Sequence, residues 1–409
     1  ILNFEVKIPK AAADLATMYV TDETGAVVPA QVYDPFIHPE RPDAMVTVSV
    51  LADFQPWQKR TWMLHACEKD GPFAPATDMK AAEEKDAWVL SNDRIAVRVV
   101  RGSHTYKTPS DAVEVPAPIL AVRGPSGKWI GRGWLESPQN VNGYKSELTH
   151  DGPIFKRVRV SYDFIGGRYI CTLTLRTGED VLHVRDEFDL GEPSKQRESN
   201  FCFSLKDGLA PDTVRWYGRC FGKRCNIREE KAASNKEAEF PLDYANPERL
   251  LRLHGLFVWW PEAASYWGAY RHGDPQSDIV AVFPERPGHW RNPAASFLEM
   301  RKNGDLVMSF PIRQPVQDWN IDGVDYDSPY YTGSISPDTP RTLGVREWGL
   351  QAAKAADVLA MDCDIQNSGI RKAWTRYGQN PLDKIKGWTL KWESPGAFAY
   401  PRGAILAKD

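Results

Sequence analysis

Apolar and polar residues alternate one for one along much of this chain, and a period of two admits strands rather than helices. Val46-Thr47-Val48-Ser49-Val50-Leu51, Ile95-Ala96-Val97-Arg98-Val99-Val100 and Arg157-Val158-Arg159-Val160-Ser161-Tyr162 show the pattern. So do residues 169–175 and 181–188. Each string lays one row of side chains in a core and turns the other outward. Clusters of Gly, Pro, Asn and Asp separate the runs, as tight returns between strands require. Helix signals are few. Residues 80–86 are a short charged stretch, and residues 349–359 leave room for a turn or two. The expected fold class is all-β.

The 409 residues suffice for two or three domains. Residues 1–72 hold a few strands and a Pro-rich interruption at 35–42, which suits a small β-sandwich. Residues 73–85 are polar, with prolines and a charge run, and read as a linker. From 86 to 364 the strands continue without a second break, long enough for one large sandwich. Residues 365–409 are rich in Trp, Gly, Pro and Lys, and suit an irregular C-terminal strap or the lead into a further domain. The Gly124-Pro125-Ser126-Gly127-Lys128 run reads as a hairpin turn, not a phosphate loop, because no helix pattern follows it.

A formal charge of −3 supplies no broad basic field for nucleic acid, and no apolar run reaches the roughly 18 residues of a membrane span. The first residues read as a strand rather than a signal peptide, and the initial Ile implies a mature or trimmed chain. The six cysteines lack zinc-site spacing. Cys220 and Cys225 flank a short turn and suit either a hairpin disulfide or two reduced thiols. Aromatic usage is high, with 15 Trp, 15 Tyr and 16 Phe. Part of it is core, and flat rings also stack on sugar C–H faces.

The order of segments resembles a known architecture. Tyr19-Val20-Thr21-Asp22-Glu23-Thr24-Gly25 followed by Val28-Pro29-Ala30-Gln31-Val32 is similar to a strand pair in the accessory β-domains of α-mannosidase-like glycosidases. Val50-Leu51-Ala52-Asp53-Phe54-Gln55-Pro56 and Arg60-Thr61-Trp62-Met63-Leu64 resemble the strands that close that small domain. Leu90-Ser91-Asn92-Asp93-Arg94-Ile95-Ala96-Val97 resembles the opening of a galactose-mutarotase-like β-supersandwich. Gly152-Pro153-Ile154-Phe155-Lys156-Arg157-Val158-Arg159-Val160 looks like its central strand, and the run 173–184 like the hairpin after it. Val345-Arg346-Glu347-Trp348-Gly349-Leu350 matches the closing strand. The resemblance implies the sugar-binding β-part of an extracellular glycoside hydrolase or polysaccharide lyase, secreted, periplasmic or at the cell surface. Its partner would be a polysaccharide or oligosaccharide, together with a second protein chain or domain supplying what is missing. The catalytic barrel and metal segment of the α-mannosidases are absent, as is the helical toroid of many lyases. The competing expectation is therefore a non-enzymatic assembly protein using its sandwich for protein contacts.

Three groups of residues carry candidate chemistry. In Asp318-Trp319-Asn320-Ile321-Asp322-Gly323-Val324-Asp325, the Asp318, Asn320 and Asp322 side chains have the alternate spacing of a calcium loop, with Asp325, Asp327 or a distant residue needed to complete the shell. Pro329 occupies the twelfth position, where a bidentate Glu is expected, so an acidic surface turn is the plain alternative. Trp259, Trp260, Trp267, Trp290, Trp319 and Tyr330, with Arg271, have the flat faces and donors a sugar groove needs, while strand alternation assigns many of them to core. For acid–base work the sequence offers Tyr270, His272, Glu262 and Asp274. Asp186, Glu187, Asp322 and Glu347 are further carboxyls; His104, Tyr106, Tyr144 and His289 are further bases; Arg219 and Arg291 are further clamps for an acid group. Strand spacing equally explains His183, Arg185, Glu187 and Arg346-Glu347 as ion pairs on a sheet.

Overall fold

The computed structural model describes residues 1–13, 17–37, 39–52, 59–67, 71–72, 75–190, 199–218, 236–242, 244, 253–254, 266–284, 297–301, 303–312, 344–356, 388–391 and 404–407. It is all-β, and every strand pairing among these residues is antiparallel. The first residues form two small sheets. Ala30–Ile37, Asp43–Val50 and Leu2–Pro9 make one, and Thr17–Thr21 pairs with Met63–Cys67 in the other. Ile8, Val20, Ala44, Val46, Val48 and Val50 fill the core of this unit. The alternation in residues 46–50 predicts that burial pattern.

Two layers build the rest. One is a ten-stranded sheet in the order Lys236–Pro241, Thr213–Gly218, Tyr266–Tyr270, Asp278–Pro284, Gly344–Lys354, Val181–Asp189, Gly167–Arg176, Phe155–Phe164, Val141–Asp151, Ser103–Ser110. The other layer comprises two five-stranded sheets. The amino-side sheet runs Trp129–Ile130, Ile119–Arg123, Ala96–Val100, Ala87–Ser91, Lys80–Glu83. The carboxyl-side sheet runs Arg132–Glu136, Asn200–Ser204, Leu306–Pro311, Phe297–Met300, Leu253–His254. A single hydrophobic core joins the layers: Leu90, Val97, Val99, Phe201 and Phe310 face Val160, Tyr162, Leu173, Val184 and Trp348.

The two five-stranded sheets meet backbone to backbone. A Cβ built on Gly133 would fall inside the carbonyl oxygen of Ile119, so only glycine lets Arg132–Glu136 lie this close to Ile119–Arg123. The hairpin turn at residues 124–128 forms as expected, with Gly127 at φ 78° and its N–H on the Gly124 carbonyl. Buried Asp278 fastens it by accepting from the Ser126 N–H at 3.1 Å and from the Ser126 hydroxyl.

Two local expectations are corrected. The charged stretch 80–86 gives a strand at Lys80–Glu83, because pairing with Ala87–Ser91 outweighs a helix too short to sustain itself. The segment expected as linker is thus partly sheet, and its Asp78 accepts from the Thr177 hydroxyl and, at 3.2 Å, from the Gly178 N–H. The expected helix at 349–359 is strand as far as Lys354, since Leu350 and Ala352 alternate into the core between two flanking strands.

The small unit touches the ten-stranded sheet through Gln31. Its buried Oε1 accepts from the backbone N–H groups of Ile154 at 3.2 Å and Phe155 at 3.0 Å. Beside it Asp34, at φ 51°, meets His150 Nε2 at 3.1 Å and Arg157 Nη1 at 3.6 Å. Tyr33 packs edge-on to Phe155 at 4.8 Å and to His150 at 5.7 Å. Burial lowers the His150 pKa and the Arg157 charge adds to that, while Asp34 opposes both. A lowered imidazole pKa means the unfolded chain takes up the proton first, so the contribution is intact above about 6.5 and erodes as pH falls toward the folded value. His150→Asn should therefore flatten the decline in melting temperature between about pH 7 and 5. An unchanged slope by calorimetry would place the acid sensitivity elsewhere.

Candidate functional site

The chain passes from the amino-side sheet to the ten-stranded sheet through Arg101 and Gly102. The Arg101 N–H bonds to the Asp86 carbonyl at 3.0 Å, and the Gly102 carbonyl accepts from the Ser146 N–H at 2.9 Å. Gly102 has φ 103°, a conformation that favours glycine, and this lets the strand leave one layer and enter the other. The crossover brings residues from both layers to the edge of the core.

On the ten-stranded sheet, His104 on the edge strand Ser103–Ser110 is the register partner of Tyr144. Tyr106 follows two residues later on the same face. The His104 and Tyr106 rings meet edge-on at 4.4 Å. Tyr106, Tyr144 and Leu148 are half-buried against the core, and from the facing sheet so are Trp88 and Ala81. The aromatic row continues inward, with Tyr144 at 6.2 Å from Tyr162 and Tyr162 stacked at 5.6 Å on Tyr169. Arg101 lies over the Trp88 ring at 5.1 Å and pairs with Glu83. The Trp88 indole N–H is buried and has no hydrogen-bond partner among the described residues.

Electrostatics limit the chemistry available to these tyrosines. Burial raises the Tyr106 pKa, with Tyr144 adding to it, and burial then the Asp86 charge raise that of Tyr144. A phenol pushed up is a poorer base at neutral pH and a dependable hydrogen-bond donor. Sequence reasoning proposes His104, Tyr106 and Tyr144 but scatters them among other candidates. Trp88 it does not single out, because in sequence it reads as an ordinary strand residue.

The other sequence candidates fall elsewhere. Arg271, His272 and Asp274 occupy the exposed turn after Tyr266–Tyr270. Tyr270 itself is buried, its ring 6.5 Å from that of His272. Asp274 caps the turn by accepting from the Gln276 N–H at 3.1 Å, while Asp212 accepts from the His272 N–H at 2.7 Å. Trp267 lies in the strand Tyr266–Tyr270. Glu262, Trp259, Trp260, Trp290, Trp319 and Tyr330 lie outside the described residues, as do Arg219, His289 and Arg291. So do Cys220, Cys225 and the calcium-type residues Asp318, Asn320, Asp322 and Asp325. Among the described residues no cluster of His, Cys, Asp and Glu could hold a metal ion, and no helix is long and apolar enough to cross a membrane.

Two carboxyls serve structure. Asp186 has no exposed surface; it accepts from Tyr169 Oη at 2.8 Å, Arg346 Nη2 at 2.6 Å and Trp348 Nε1 at 2.7 Å. Neighbouring Glu187, on the opposite sheet face, pairs with Arg185, which also reaches Glu347 at 2.8 Å. The cross-strand ion pairs expected here are present. The Cys171 thiol beneath Asp186 is pushed well up by burial and by that carboxylate, so it is no nucleophile.

No protein-family profile matches the sequence, and no curated protein does. Among solved structures, a glycosyl hydrolase family 38 protein from Enterococcus faecalis aligns at 10% identity with a TM-score of 0.48, covering 92% of this chain and 45% of that one. An alpha-mannosidase from Enterococcus faecalis V583 aligns at 10% identity and TM-score 0.47, covering 96% of this chain and 46% of the other. An alpha-galactosidase from Lactobacillus brevis aligns at 9% identity and TM-score 0.29, covering 71% of this chain and 42% of its own length. The chain thus spans less than half the length of the solved structures it matches. At these scores the likeness is too loose to assign a family to this chain.

Proposed function

We propose that this chain is the glycan-binding β-part of a carbohydrate-active enzyme, a hydrolase or lyase acting on a polysaccharide outside the cytoplasm. In this reading the large unit is a galactose-mutarotase-like supersandwich, and the sugar sits at the mouth lined by Trp88, His104, Tyr106 and Tyr144. One observation carries the assignment: a buried indole donor, without an acceptor among the described residues, packs on the same core edge as half-buried aromatic rings of the facing sheet. A buried N–H left unpaired costs about 1–3 kcal/mol, which a ligand oxygen would recover. Sugars present hydroxyl oxygens and flat C–H faces together, and this surface offers donors and rings together. The raised tyrosines favour a binding role here, leaving acid–base catalysis to another segment or chain.

Titration of the purified chain against a panel of neutral and acidic oligosaccharides tests the proposal. Trp88→Phe removes the N–H together with the five-membered ring and should weaken glycan binding about tenfold, with Tyr106→Phe/Tyr144→Phe giving a comparable loss. Absence of binding to every glycan would refute the reading. It would instead favour protein–protein assembly through the small unit, where Phe36 is 64% exposed and Met63 50%.

A further inference from the structure

A second surface lies on the opposite side of the layer formed by the two five-stranded sheets. Ile130 and Leu135 are fully buried in the common core, so alternation turns Trp129 and Trp134 away from it. Each indole is flanked by two guanidiniums. Arg98 lies 4.2 Å and Arg123 5.1 Å from the Trp129 ring centre. Arg132 lies 5.5 Å and Arg301 5.4 Å from that of Trp134. These separations are within cation–π range, so the rings hold the cations in fixed positions.

The charges do not cancel. Arg98 pairs with Glu84, and Arg301 makes two hydrogen bonds to Glu136. Burial alone would raise the Glu136 pKa, but hydrogen bonds from Arg301 and Trp134 outweigh it and hold the carboxyl low, so Glu136 stays ionised. Arg123 and Arg132 have no carboxylate partner among the described residues. Lys206 and Asp207, next to Gly131, offset each other. Among the described residues four guanidiniums thus share this face with two carboxylates, on a protein whose formal charge is −3. The two tryptophans are five positions apart, so their Cα atoms are at most about 18 Å apart, within the span of a short oligosaccharide.

We propose that this strip binds an acidic polysaccharide. Carboxylates or sulfates of the polymer would meet Arg123 and Arg132, and sugar faces would lie along the edges of Trp129 and Trp134. A neutral glycan would leave those two cations uncompensated, whereas an acidic one pairs with them at fixed positions. This strip is separate from the mouth at Trp88, and its assignment does not depend on that one.

Affinity electrophoresis of the full chain through polygalacturonate, chondroitin sulfate and dextran provides the test. Retardation is expected with either acidic polymer but not with dextran, and should weaken as salt rises from about 50 to 200 mM. Arg123→Gln/Arg132→Gln should reduce the affinity about tenfold. Should the double variant misfold by circular dichroism, the salt response of the unaltered chain and competition by duplex DNA decide the matter. Equal retardation in dextran, no retardation in either acidic polymer, an unaffected double variant, or DNA competing as well as polygalacturonate would each overturn the proposal.

Discussion

Replacing Asp186 with alanine should remove about 3–5 kcal/mol of folding stability, among the largest effects of any single substitution in this chain. The side chain has no exposed surface, and its ion-pair partner Arg346 is only 9% exposed. Removing the carboxylate takes from a buried guanidinium its Asp186 charge and strips acceptors from Tyr169 and Trp348. Desolvation of what remains, more than loss of the attraction, sets the size of the effect. The companion experiment is Asp186→Leu with Arg346→Met, which removes both charges and should recover most of the loss. Urea unfolding of the variants measures both. A double variant no more stable than Asp186→Ala would show that the stabilisation comes from packing and not from satisfying charge.

Gly133→Ala is expected to cost about 3 kcal/mol or more, although it adds only one methyl group. That methyl would have to occupy the space of the Ile119 carbonyl oxygen, and backbone on both sides leaves no flexible neighbour to yield. The two five-stranded sheets would be forced apart and the common core loosened with them. Gly25→Ala offers the contrast: its φ is 83° but nothing lies within 4 Å of an added Cβ. Only the backbone penalty of about 1 kcal/mol applies there. Matching denaturation midpoints for the two variants would show that the sheets are not docked through this close approach.

Strand identity was legible wherever one face of a sheet is buried and the other is not, as in residues 157–162, where the alternation in the sequence is the burial pattern itself. In residues 169–175 both faces are largely buried, Ile170 and Thr174 included. Two segments misled for opposite reasons. Residues 80–86 are charged because Lys80–Glu83 is an edge strand facing water, and edge strands lose the apolar half of the signal. Residues 349–359 contain alanines that favour helix locally, yet Gly344–Lys354 is held on both sides by neighbouring strands. The site was less legible than the fold. His104, Tyr106 and Tyr144 could be named from residue type, but that the tyrosines pack on the same core as Trp88 of the facing sheet depends on the crossover at Gly102 between layers, and no local pattern encodes that. Asp186 and Arg346 lie 160 positions apart and pair through strand register alone.

The strand order in the large sheet has a consequence for how this protein is made. Val181–Asp189 closes a run of sequential hairpins, but its outer neighbour is Gly344–Lys354 rather than the strand that follows it in the chain. During synthesis the nascent polypeptide carries an open ladder edge, Leu182 and Val184 included, until the ribosome has delivered a strand more than 150 residues downstream. Such distant closure is intrinsically slow, and an exposed edge pairs readily with a like edge on another molecule. The emerging chain therefore passes through an interval in which self-association competes with completion, and a chaperone that shields this margin would raise the yield of native protein without touching the finished fold.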